Sequence, residues 1–243
     1  MSNVTLSLLI SFLAGISTFI GGLVVFIKFK DKNKFLAFSL SFSLSVMLSI
    51  SVFELIPESI MTLLNKMSFL LAFLSGLLMF VLGKILVSKI NYKTHLLSGN
   101  SLYRVGVLSM IALMIHNFPE GLAIGSGFEA STKLGIGLAI AICLHDIPEG
   151  ISMAVPMKNG GMEIWKVIFY VVLSGVTTGI GAFFGAIIGS ISETIIAINL
   201  SFAAGAMLYI VSGELIPESN KLYKGRMSAV RKYDWFYYWN FSN

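Results

Sequence analysis

The sequence predicts an all-α, polytopic membrane protein, and three observations predict it. Of 243 residues, 56% are hydrophobic and only 12% charged, against roughly 25% charged in an average soluble domain. The mean hydropathy is +0.86. The apolar residues form long runs, with the basic residues in short clusters between them. So little polar surface cannot cover a globule in water, which excludes an ordinary soluble enzyme and a disordered chain. A disulfide scaffold is excluded too, because Cys143 is the only cysteine. The net charge of +5 suggests nucleic acid only until the charges are placed: they flank apolar runs.

A hydrocarbon core of about 30 Å needs roughly 20 apolar residues per helix. Seven segments meet that length: about 4–27, 35–60, 67–88, 103–125, 132–156, 166–189 and 195–218. The first lacks a basic leader and is too long for a signal peptide's apolar region, so it reads as a retained span. Residues 1–219 are therefore expected to form one transmembrane domain. Residues 220–243 read as a basic tail with an aromatic end, Trp235 to Trp239. With the N-terminus outside, 15 of the 17 Lys and Arg fall on the cytoplasmic side, leaving Lys66 and Lys133 outside. The expectation is a multi-pass protein of the cell (plasma or inner) membrane, N-terminus out and tail in.

One internal repeat stands out. Ser41-Phe42, Met47-Leu48, Ile50 and Glu54-Leu55-Ile56-Pro57-Glu58-Ser59 recur 160 residues later as Ser201-Phe202, Met207-Leu208, Ile210 and Glu214-Leu215-Ile216-Pro217-Glu218-Ser219. The copies fall in the second and seventh spans, which run in opposite directions. An inverted-topology repeat follows, an arrangement common in transporters, with the substrate site near the midplane. Chance likeness is a poor account, because Pro and Glu are both costly in a span and both recur. Glu54 and Glu58 should lie near the outer end and Glu214 and Glu218 near the cytoplasmic end. They read as acids that draw a cation in and out, with helix-end capping as the plainer alternative.

Between the copies lies a second pair, His116-Asn117-Phe118-Pro119-Glu120-Gly121 and His145-Asp146-Ile147-Pro148-Glu149-Gly150. Four of the five prolines thus precede a glutamate inside an apolar span. Each removes a backbone donor and frees a carbonyl one turn earlier, which survives at membrane depth only beside protein or a water-lined cavity. His116 with Glu120, and His145 with Glu149, are one turn apart and share a helix face. The fourth and fifth spans form a hairpin turning near residues 130 and 131, which sets both imidazoles at similar depth.

A carboxylate at a helix centre costs at least about 2.5–3.5 kcal/mol on insertion scales, so such residues are functional candidates by default. Imidazole with carboxylate suits Zn²⁺, and also Fe²⁺, Mn²⁺, Co²⁺ or Cd²⁺. The absence of a thiolate cage favours reversible binding. A lone buried histidine is more often a satisfied core residue, but two matching hexapeptides at one depth outweigh that reading. Cys143 reads as a packing residue, and Met47 and Met207 taken singly read as core.

At these residues the sequence resembles the ZIP family of divalent metal transporters, especially its bacterial zinc-uptake branch. HNFPEG and HDIPEG match the family signatures of the fourth and fifth helices, and the Met-Leu…Pro-Glu pattern matches its second and seventh. The resemblance implies one metal position at His116, Glu120, His145 and Glu149, with Met47 nearby. A neighbouring position would share Glu120 and Glu149 and add Asn117 and Asp146. It implies a helical bundle with an elevator-like or rocking alternating-access cycle. Two departures matter. Where many relatives carry a sixth-helix glutamate within Ser-Gly-x-x-Glu-Pro, this chain has Thr178, so a weak or absent second position is expected. Where the family has an eighth helix, Arg231 onward turns charged and aromatic, so a truncated or altered last helix is expected.

The leading expectation is a secondary transporter that imports divalent metal, chiefly Zn²⁺, and is not an enzyme. It needs no prosthetic group; its partners are divalent metal ions and the lipid bilayer, without nucleic acid, and a homodimer is left open. The alternatives are an intramembrane zinc hydrolase, for which no H-E-x-x-H motif is present, and a membrane protein that binds metal without flux. No nucleotide-binding loop is present, which argues against ATP-driven pumping.

Overall fold

A computed structural model describes residues 3–27, 32–62, 66–95 and 101–222. Every regular element among them is helical. Helix α1 (Asn3–Leu23) runs into a 3₁₀ turn, and α2 (Lys32–Ile50) passes through a π turn, Ser51–Leu55, into α3 (Ile56–Met61). Then come α4 (Lys66–His95), α5 (Ser101–Ala130), α6 (Thr132–Asn159), α7 (Ile164–Gly189) and α8 (Glu193–Ile210). A second π turn, Val211–Leu215, leads into α9 (Ile216–Leu222). Among the described residues, five stretches are long and apolar enough to cross a membrane: Val4–Phe26, Lys34–Met61, Thr132–Asn159, Ile164–Gly189 and Glu193–Gly213. A shorter apolar stretch, Leu70–Ile85, lies in α4. The chain is a multi-pass membrane protein.

Local chemistry sets the helix ends. Ser131 separates α5 from α6, and its Oγ accepts the Leu134 N–H at 3.1 Å, satisfying one free donor of the new helix. Ser192 caps α8 in the same way through Ile195 N–H at 3.3 Å. Between α6 and α7 the chain reverses at Gly161, whose φ of 87° would strain any side chain.

Both copies of the repeated hexapeptide follow the same backbone path. Each enters through a π turn and resumes an α-helix at the Ile-Pro step. Pro57 and Pro217 have no N–H to give to the preceding turn, and a widened turn absorbs that break. Pro119 and Pro148, in contrast, lie inside uninterrupted helices.

The helices form two layers. α1, α5, α6 and α7 pack as a four-helix bundle. α2 lies against α6 and α8 against α5, while α4 sits on the outside of α8. The outer face of α4 exposes Leu70, Leu71, Phe73, Leu74, Leu77 and Leu78, the side chains expected to meet lipid.

Candidate metal centre

The central hexapeptides sit where α5 and α6 face each other inside the bundle. His116 and Glu120 project from α5, and His145 and Glu149 from α6, each at most 1% exposed. His116 Nε2 lies 3.2 Å from Glu120 Oε1 and 3.1 Å from Glu149 Oε1. His145 Nε2 lies 2.7 Å from Glu120 Oε1. One nitrogen or oxygen from each of the four falls within 4.8 Å of the others.

The surrounding bonds fix which atoms face inward. His145 Nδ1 lies 3.0 Å from the Ala141 carbonyl, which can only accept, so Nδ1 carries a hydrogen and Nε2 turns to the cluster. Asn117 Nδ2 donates to the Ser174 carbonyl at 3.1 Å and to its hydroxyl at 3.2 Å. That leaves Oδ1 as the free end of the amide. Asp146 Oδ2 accepts from Thr18 Oγ1 at 3.2 Å, and its Oδ1 is 3.7 Å from His145 Nε2. Ser43, on α2, donates to Glu149 Oε1 at 3.4 Å.

Six atoms here are buried without a hydrogen-bond partner: His116 Nδ1, Asn117 Oδ1, Glu120 Oε2, Asp146 Oδ1, Glu149 Oε2 and Thr178 Oγ1. A buried polar atom without a partner costs roughly 1–3 kcal/mol. Four of the six are amide or carboxylate oxygens, a donor set that a cation satisfies at once. Two imidazoles and two carboxylates suit tetrahedral Zn²⁺, with bonds of about 2.0–2.2 Å. Ligand-to-ligand distances near those observed go with such bonds, so small side-chain adjustments suffice.

The other residues singled out in the sequence fall as follows. Met47 is fully buried on α2, with its sulfur 3.9 Å from Ser43 Oγ. Cys143 is half-buried and packs at the edge of the main hydrophobic cluster. Glu54 and Glu58 are half-buried in the first π turn and α3, with Lys133 at the start of α6 in electrostatic reach of Glu54. The backbones of Glu214 and Glu218 occupy the matching places in the second π turn and α9, and their side chains lie outside the described residues. The tail beyond Leu222, including Arg231 onward, also lies outside them. Thr18, Ser43 and Ser174 touch the cluster and were not picked out in the sequence, where serine and threonine in an apolar run carry no signal of their own.

The family model described as ZIP Zinc transporter matches residues 92–232, which spans both central hexapeptides. The ZupT zinc transporter of Chlorobium limicola is 35% identical over 240 residues, covering 91% of this chain and 90% of that protein. The chain belongs to the ZIP family. Among other ZIP relatives, zinc transporter ZIP11 of Xenopus tropicalis is 40% identical over 149 residues, 58% of this chain and 44% of that protein. Zinc transporter GufA of Myxococcus xanthus is 36% identical over 61% of this chain and 59% of its own length. The chain thus spans about half the length of those two relatives and nearly all of the ZupT protein.

Proposed function

We propose that this ZIP protein is a secondary transporter, not an enzyme, that imports divalent metal cations, Zn²⁺ foremost, into the cytoplasm. The observation that carries the reading is the buried set of His116, Glu120, His145 and Glu149, with ligand atoms within 4.8 Å of one another. An apolar bundle does not keep two imidazoles and two carboxylates at its centre for packing. The names of the ZupT relatives, zinc transporters matched over nine-tenths of their length, point the same way. Fe²⁺, Mn²⁺, Co²⁺ and Cd²⁺ suit the same donors.

In this reading residues 1–219 form seven spans in the cell membrane, with the N-terminus outside and residues 220–243 at the cytoplasmic face. Met47 borders the first metal position. Asn117 Oδ1 and Asp146 Oδ1 border a second, which shares Glu120 and Glu149 and to which Thr178 brings no carboxylate. Glu54 and Glu58 then draw the cation from outside, and Glu214 and Glu218 ease its release.

The test is uptake of Zn²⁺ and the four other cations by the full chain in proteoliposomes. Saturable zinc uptake, lost in Glu149→Ala, is the expected result. Metal-dependent cleavage of a peptide or lipid without flux, or tight binding without flux, would overturn it.

A further inference from the structure

Ser43 behaves unlike Ser45, Ser49 and Ser51 along the same span. Ser45, Ser49 and Ser51 each donate to a carbonyl one turn back in the same stretch, those of Ser41, Ser45 and Met47, all at 2.8 Å. That is the default for a serine in an apolar helix, because it satisfies the hydroxyl locally. Ser43 makes no such bond. Its hydroxyl instead reaches out of α2 to Glu149 Oε1 on α6, at 3.4 Å, beside Met47 Sδ at 3.9 Å. Ser43, Met47 and Glu149 are all fully buried, so no water competes for that carboxylate.

The same oxygen, Glu149 Oε1, lies 3.1 Å from His116 Nε2. Nε2 sits between two carboxylate oxygens and shares a hydrogen with them. To ligate a cation through Nε2, His116 must offer a lone pair instead, and its hydrogen bond to Glu149 is given up. The donor that stays on Oε1 is then Ser43.

We propose that Ser43 is a positioning residue of the cation site, holding Glu149 from α2 while His116 exchanges its hydrogen bond for a metal bond. The inference rests on the proposed transport function. It also gives a role to the hydroxyl that α2 brings to the site beside the apolar Met47. The bond is long for a hydroxyl donor, in keeping with an acceptor shared with His116. Ser43 thus acts on affinity through Glu149 and ligates nothing itself.

The test is zinc uptake by the full chain in proteoliposomes, with KM and maximal rate measured separately per folded molecule. Ser43→Ala should raise KM about tenfold, the scale of one lost hydrogen bond to a charged group, and leave maximal rate within about twofold. Ser43→Thr, which keeps the hydroxyl, should restore KM to within about twofold of the unmodified chain. Zinc titration of purified protein should show the same loss of affinity for Ser43→Ala, and none beyond that of Glu149→Gln when the two changes are combined. Unchanged KM in Ser43→Ala, or a fall in folded yield shared by Ser43→Ala and Ser43→Thr, would overturn the proposal and leave the transport reading standing. An unmodified chain that neither takes up nor binds zinc would overturn both.

Discussion

The four-helix bundle and the layer outside it are held together by different means. Within the bundle, glycines bring backbones into direct contact. A methyl on Gly121 would meet the Thr178 carbonyl and Gly181 of α7; one on Gly150 would meet the Thr18 carbonyl of α1; Gly15 and Gly175 face each other. α2 has no glycine at all, and the glycine of α8, Gly205, faces Gly76 of α4 instead of the bundle. The seams of α2 with α6 and of α8 with α5 are therefore made by side chains. Backbone-to-backbone seams exclude rotamer changes and act as rigid joints, as small residues do between membrane helices. Side-chain seams can repack. The buried His116, Glu120, His145 and Glu149 ride on the rigid unit, and their contact through Ser43 crosses a seam that can shift.

The largest effect should come from breaking a rigid joint. Gly121→Ala puts a methyl against Thr178 O, with Ala182 N at 2.7 Å and Gly181 Cα at 2.9 Å, all backbone atoms that cannot step aside. We expect a loss of about 3 kcal/mol or more, the upper range for overpacking, read as collapse of monodisperse yield on size exclusion. Gly137→Ala, where nothing lies within 4 Å, should leave yield and melting temperature unchanged. Equal tolerance of both would mean that the bundle is not rigid in this way.

Next in size is loss of a cluster ligand. His116→Ala, Glu120→Ala, His145→Ala and Glu149→Ala each remove one donor of four from a dry site, where nothing replaces it. Loss of an outer-shell partner of a metal site costs about 10–100-fold. Loss of a ligand should therefore cut zinc uptake by about 100-fold or more, while folded yield holds because no backbone seam is touched. Near-normal uptake in both glutamate variants would sink the assignment of the site.

Much of this was legible in the sequence, for a physical reason. Lipid makes every charged or imidazole side chain in a span expensive, so His116, Glu120, His145 and Glu149 stood out against their apolar runs, and one-turn spacing gave the shared faces. The supporting hydroxyls were not legible. Thr18, Ser43 and Ser174 cost little in a helix that can bond them to its own backbone, and which of them reaches across depends on tertiary packing. The rigid seams had a readable signal in the glycines four apart, Gly121 with Gly125 and Gly181 with Gly185, that hydropathy passes over. The four Pro-Glu steps read alike, yet only the two in the repeated hexapeptide open a π turn. Nothing in the dipeptide itself distinguishes them.

A smaller change is expected at Thr178. It lies one turn beyond Ser174 on α7, fully buried, with no hydrogen-bond partner for Oγ1. Thr178→Glu adds a carboxylate to the proposed second metal position, on the rigid side of the comparison. Zinc titration should move from one tight site to two, with little change in the first. Two tight sites already present in the unmodified protein would show that Thr178 does not weaken that position.

The smallest effect tests the seam between α8 and α5. Asn199 Nδ2 donates to Ser126 Oγ at 2.9 Å, and Ser126 in turn donates to the Gly185 carbonyl at 3.2 Å. The first bond crosses between the layers; the second lies inside the bundle, from α5 to α7. Side-chain hydrogen bonds between membrane helices average about 0.6 kcal/mol, so Asn199→Ala should barely move the melting temperature. If transport requires the layers to shift, losing that bond changes the balance of conformations by about threefold, seen in maximal rate and not in KM. Ser126→Ala breaks both bonds and should cost more stability than Asn199→Ala, because it also loosens the bundle. The reverse order, with Asn199→Ala the more destabilising and transport rate unchanged, would mean that the outer seam is as fixed as the inner ones. The distinction between a rigid unit and a movable layer would then fail.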